Sequence, residues 1–101
     1  MNKNLAYTYG ASDISLIGET IDQNLRKTVE KYPNKEALIS VHQNYRVTYV
    51  EFYAQVTAVA KGLIALGVKQ GDRVGIWSPN CSEWTLLQFA TAKIGVIMVN
   101  I

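Results

Sequence analysis

One stretch constrains the fold more than any other: Leu66-Gly67-Val68-Lys69-Gln70-Gly71-Asp72-Arg73-Val74-Gly75-Ile76-Trp77-Ser78-Pro79-Asn80, continued by Cys81-Ser82-Glu83-Trp84. Gly67 stands where a helix C-terminus needs a left-handed residue. Gly71-Asp72 makes a turn, Arg73 to Ser78 reads as a strand, and Pro79 removes a ladder donor and ends it. Asn80 is a favoured N-cap, with Glu83 as its capping-box partner. Gly75 leaves room for another backbone to approach that strand. The helix that follows, Cys81 to Ile94, carries Trp84, Leu86, Leu87, Phe89, Ala90, Ala92 and Ile94, so it should be buried on more than one face. Gly95 ends it, and Val96 to Val99 is an apolar strand. Strand, helix, strand is a βαβ unit, expected to be right-handed with parallel strands.

The preceding half supplies two more helices and a hairpin. Thr20 and Gln23 form a capping box for a helix over Ile21 to Tyr32, with Ile21, Leu25, Val29 and Tyr32 as its apolar face. Asp22, Arg26, Lys27, Glu30 and Lys31 cover the other face, read as solvated. Pro33 stops this helix. Glu36–Val41 and Tyr45–Thr48 form a β-hairpin around His42-Gln43-Asn44, with Asn44 suited to a left-handed position. Thr48 and Glu51 box the start of a long helix, Tyr49 to Leu66. On it Phe52, Val56, Val59, Leu63 and Leu66 make the core stripe. Glu51, Ala54, Ala58, Lys61 and Ala65 form a second row, either solvated or closely approached. The fold class is thus α/β: three helices, a β-hairpin and a right-handed βαβ unit with parallel strands.

Residues 1 to 19 read as an N-terminal arm in which Leu5, Tyr7, Tyr9, Ile14, Leu16 and Ile17 cover apolar surface of a longer parent, with Gly10 and Gly18 against a long helix. The apolar run Val96-Ile97-Met98-Val99-Asn100-Ile101 has the look of a fully buried strand, and a chain that stops on it is expected to be truncated. Its open edges and uncovered apolar surface also imply self-association of the isolated chain.

Composition excludes several functions. The net charge is +2 over 101 residues, and the basic residues are scattered rather than blocked, which argues against nucleic-acid or anionic-membrane binding. No stretch has the length of a transmembrane segment or the form of a signal peptide, and the single Cys81 suits a reducing compartment, so the expected location is the cytoplasm. His42, the lone histidine, has no ligand partner at metal spacing. Cys81 beside a helix N-terminus has no base near it in sequence. Tyr49 and Phe52 suggest a ligand-lining row, but core packing accounts for them. The one ligand candidate is Ser78-Pro79-Asn80, at the carboxyl end of a strand and against a helix N-terminus, where open α/β sheets bind anions. Against it stands the simpler reading, that Asn80 only caps the helix.

Several segments, in order, resemble the adenylate-forming (AMP-binding) enzymes. They are Tyr32-Pro33, Lys35-Glu36-Ala37-Leu38-Ile39, Arg46-Val47-Thr48-Tyr49-Val50-Glu51-Phe52, Ala60-Lys61-Gly62-Leu63 and Leu66 to Val74. Ser78-Pro79-Asn80 with Glu83-Trp84, and Gln88-Phe89-Ala90-Thr91-Ala92-Lys93-Ile94-Gly95, are similar to the fatty-acyl-CoA synthetase branch. The resemblance implies that residues 20–101 are the N-terminal part of the large AMP-binding domain of a longer parent. That parent would activate a fatty acid with ATP and Mg²⁺ to an acyl-adenylate and pass the acyl group to CoA. The family's phosphate loop, adenine and ribose contacts and catalytic lysine all lie after the region present here, so no catalytic, cofactor-binding or metal residue is assigned, and the chain alone is expected to be inactive. An aryl-CoA ligase or amino-acid adenylation domain would share this scaffold. A different class, an independent small α/β binding or interaction module without catalysis, remains the alternative.

Overall fold

Thr20 opens the first helix through a reciprocal box: its hydroxyl accepts from the Gln23 N–H at 3.1 Å, and its own N–H donates to Gln23 Oε1 at 2.9 Å. The computed structural model, which describes residue 13 and residues 15–101, has α1 at Ile21–Lys31, ending just before Tyr32-Pro33. Leu25 is buried and Val29 half-buried, but Ile21 and Tyr32 are exposed, so the apolar face is narrower than its spacing suggests. The expected arm falls largely outside the described residues, Leu5, Tyr7, Tyr9, Gly10 and Ile14 among them. Leu16 and Ile17 are described, and they are exposed in this chain.

The strands β1 (Glu36–Ser40) and β2 (Tyr45–Thr48) pair antiparallel, with an irregularity between Glu36 and Leu38. A single 3₁₀ turn, Val41–Gln43, joins them, and Asn44 takes the left-handed conformation at φ 51°. An asparagine tolerates that conformation at small cost.

Helix α2 (Tyr49–Ala65) follows without a break. The Thr48 hydroxyl and Glu51 carboxylate complete the second box, while the Tyr49 and Val50 N–H groups donate to the Lys35 and Pro33 carbonyls. Every early donor on this helix therefore has a partner within twenty residues. Its other end is a Schellman motif: Val68 N–H donates to Leu63 O at 3.1 Å and Gly67 N–H to Ile64 O at 2.9 Å, with Gly67 at φ 92°. Phe52, Val56 and Ala60 are buried and Val59 and Leu63 half-buried, whereas Leu66, at the cap, is 82% exposed. The second row, Glu51 to Ala65, is exposed throughout and so is the solvated one of the two readings.

In the second half, β3 is Arg73–Ile76, α3 is Ser82–Ile94 and β4 is Ile97–Asn100. The strands pair parallel, Val74 opposite Met98 and Gly75 opposite Val99, as the βαβ pattern requires. The turn before β3 is knotted by Asp72, whose carboxylate accepts from Lys69 N–H at 2.8 Å, and Gly71 N–H donates to Gly95 O at 2.8 Å. Two expectations change here and a third holds. β3 ends two residues early, leaving Trp77 87% exposed. A Cβ on Gly75 would meet the Ile101 side chain at 3.0 Å, so a side chain rather than a backbone fills that space. The last strand has the uncovered apolar surface expected of it in this chain: Val96 is buried, but Ile97, Val99 and Ile101 are exposed, and among the described residues β3 and β4 form a two-stranded sheet.

The core gathers Leu25, Val47, Phe52, Val56, Ala60, Leu86 and Ala90 from α1, β2, α2 and α3. Phe52 meets Phe89 edge-to-face, with centroids 5.5 Å apart and planes at 83°. Helix α3 buries Leu86, Ala90 and Thr91, and its flanking Trp84, Leu87, Phe89 and Ile94 are half-buried. The buried Thr91 hydroxyl donates back to the Leu87 and Gln88 carbonyls, so it is satisfied within its own helix.

Candidate functional site

The carboxyl end of β3 leads into Trp77-Ser78-Pro79-Asn80-Cys81 and then α3. The indole Nε1–H of Trp84 donates to Ser78 O at 3.0 Å, and the Ser78 hydroxyl donates to Pro79 O at 3.0 Å. These bonds fold the loop back on the first turn of the helix.

Asn80 is not the cap. The N-cap is Cys81, extended at φ −158°, and no side chain of its own caps the helix. Asn80 is exposed, one residue too early in the chain to reach the first helical N–H groups. The cap comes from the hairpin instead. Gln43 Oε1 accepts from the Ser82 N–H at 2.8 Å and from the Ser40 hydroxyl at 2.7 Å. Gln43 Nε2 donates to Glu83 Oε1 at 2.8 Å, and the Ser82 hydroxyl donates to the same carboxylate at 2.9 Å. These donors, Gln43 first and Ser82 second, hold the Glu83 carboxyl below the usual carboxylate range. Glu83 therefore serves the borrowed cap rather than an Asn80 box.

This arrangement bears on the anion reading of the loop. A helix N-terminus attracts anions when its N–H groups are free. Here a carboxamide oxygen occupies the Ser82 N–H and the Glu83 carboxylate sits beside it, which favours the structural reading of the loop. Cys81 is half-buried, its Sγ 3.5 Å from Ser78 Oγ, and His42 is exposed with Nδ1 3.5 Å from Ser40 Oγ. A recess of about 270 Å³ separates hairpin and loop, lined by Leu38, Ser40, His42, Asn80, Cys81 and Ser82 among others. Among the described residues no three His, Cys, Asp or Glu side chains are grouped to hold a metal. Phe52 lies in the core, so the Tyr49–Phe52 row lines no ligand space.

A second polar cluster joins all three helices. Lys93 Nζ donates to Tyr53 Oη at 2.6 Å and lies 3.3 Å from Asp22 Oδ1, and Tyr53 Oη donates to the same carboxylate oxygen at 3.3 Å. The Tyr53 hydroxyl first, with the Asp22 carboxylate adding to it, holds the Lys93 ammonium above the usual lysine range against the opposing effect of burial. The Asp22 side chain is only 16% exposed, so it does not belong to the solvated face assigned to it. No spacing in the sequence marks this triad, because its members are 31 and 40 residues apart. Both clusters have their hydrogen-bonding capacity turned inward, on the fold.

Comparison with known proteins adds what these clusters lack. The family model described as AMP-binding enzyme matches residues 25–101. The chain is 49% identical over 96 residues to the medium-chain acyl-CoA ligase ACSF2, mitochondrial, of Danio rerio, covering 95% of this chain and 16% of that protein. It is similar to the fatty acyl CoA synthetase of Mycobacterium tuberculosis, with TM-score 0.77 and 33% identity over 81% of this chain and 16% of that one. The N-terminal subdomain of Klebsiella oxytoca NpsA, solved with 3-hydroxyanthranilyl-AMSN, matches with TM-score 0.75 at 27% identity over 81% of this chain. The chain thus spans about 16% of the length of the curated relatives it matches. Among the described residues, no helix is long and apolar enough to cross a membrane.

Proposed function

We propose, from the premise that this chain belongs to the AMP-binding enzyme family, that it is scaffold of an ATP-dependent acyl-CoA ligase. The reaction proposed for the whole protein is activation of a fatty acid, of medium chain length, as an acyl-adenylate, followed by transfer to CoA, with Mg²⁺ accompanying ATP. The observation that carries this reading is the 49% identity to a ligase so named, over 95% of the chain. The lower identity to the NpsA subdomain ranks the adenylation-domain alternative second within the class.

Residues 20–101 are assigned to the N-terminal part of the large domain and residues 1–19 to an arm. No catalytic, nucleotide or metal residue is assigned within the chain. In support of that assignment, the α3 N-terminus is filled by Gln43 and flanked by the Glu83 carboxylate. The isolated chain is assigned no turnover. Its exposed Trp77, Ile97, Val99 and Ile101 support self-association, which light scattering across a dilution series reads directly. The proposed compartment is the cytoplasm, and cell fractionation distinguishes it from the mitochondrion named for the Danio rerio relative.

The functional test is a chimera in which this chain replaces the matched stretch of the Danio rerio ligase. Pyrophosphate release with octanoate, ATP and CoA within about tenfold of the unaltered ligase supports the scaffold reading, a difference of roughly 1.4 kcal/mol in barrier. A chimera that melts cooperatively yet releases no pyrophosphate overturns it.

A further inference from the structure

We draw no further inference here: the strongest candidate, the apolar surface patch on and beside the β3–β4 strand pair where Trp77, Ile97, Val99 and Ile101 are exposed, carries none because nothing in the structure shows what covers it.

Discussion

The two halves of this molecule start their helices differently. In the first, α1 and α2 each carry a complete box in consecutive residues, Thr20 with Gln23 and Thr48 with Glu51, and the Lys35 and Pro33 carbonyls that finish α2 lie close by in the chain. In the second, α3 has no capping side chain of its own and takes one from Gln43, on the far side of α2 in sequence. A helix start can therefore be local grammar or a tertiary contact. The tertiary kind makes the first half a precondition for order in the second.

The severest challenge to that comparison is to damage the core the halves share. Phe52 belongs to α2 and meets Phe89 of α3, so Phe52→Ala should cost about 3–5 kcal/mol in urea unfolding and loosen both halves together. Leu66→Ala, on the same sequence stripe but 82% exposed, should stay within about 0.5 kcal/mol. If both cost the same, the stripe and not the burial is what counts.

Next in size is the cluster that crosses the halves, Asp22 and Tyr53 from the first and Lys93 from the second. Asp22→Ala should cost about 1.5–3 kcal/mol, the range for hydrogen bonds to charged groups. The Lys93 ammonium is held above its ordinary range by Tyr53 and Asp22, which fixes the sign of the pH dependence. Its contribution is fully present below the unfolded lysine value of about 10.4 and is lost as pH rises through the higher folded value. Stability profiles of the chain and of Lys93→Met should therefore converge on the alkaline side. Parallel profiles would show that Lys93 contributes nothing through its charge.

How much of this was legible in the sequence follows the same division. Both boxes, the Asn44 turn, the Gly67 and Gly95 helix ends and the parallel pairing of β3 with β4 could be read because each signal lies within a few residues or in one period. Asn80 misleads for the same reason: Asn followed by Glu three positions later has the local form of a box, and only the path of the hairpin shows that Gln43 is already on Ser82. Asp22 reads as solvated because its helix face is charged. Its partners come from two other helices, and helical spacing carries no record of them. The apolar run Val96–Ile101 reads as a strand made for burial, and the absence of covering layers expected for this chain leaves Ile97, Val99 and Ile101 exposed. For the site, the sequence offered one loop as a ligand contact, and the geometry that fills it with a carboxamide is again long-range.

A smaller effect sharpens the local side. Thr48→Ala removes the hydroxyl that accepts the Glu51 N–H and should cost about 1 kcal/mol, as N-cap losses do. The loss should appear in α2 and, through the shared core, in the global transition. Localised loss at α3 instead would break the division drawn here.

The most direct measurement compares Gln43→Ala with Asn80→Ala in the same urea titration, at protein concentrations low enough to exclude association. If α3 is capped from the hairpin, Gln43→Ala should lower stability by about 0.5–2 kcal/mol, and Asn80→Ala, at an exposed position outside the helix, should change it by no more than about 0.5 kcal/mol. The reverse order, Asn80 costly and Gln43 silent, would return the cap to the residue next to the helix and contradict the account.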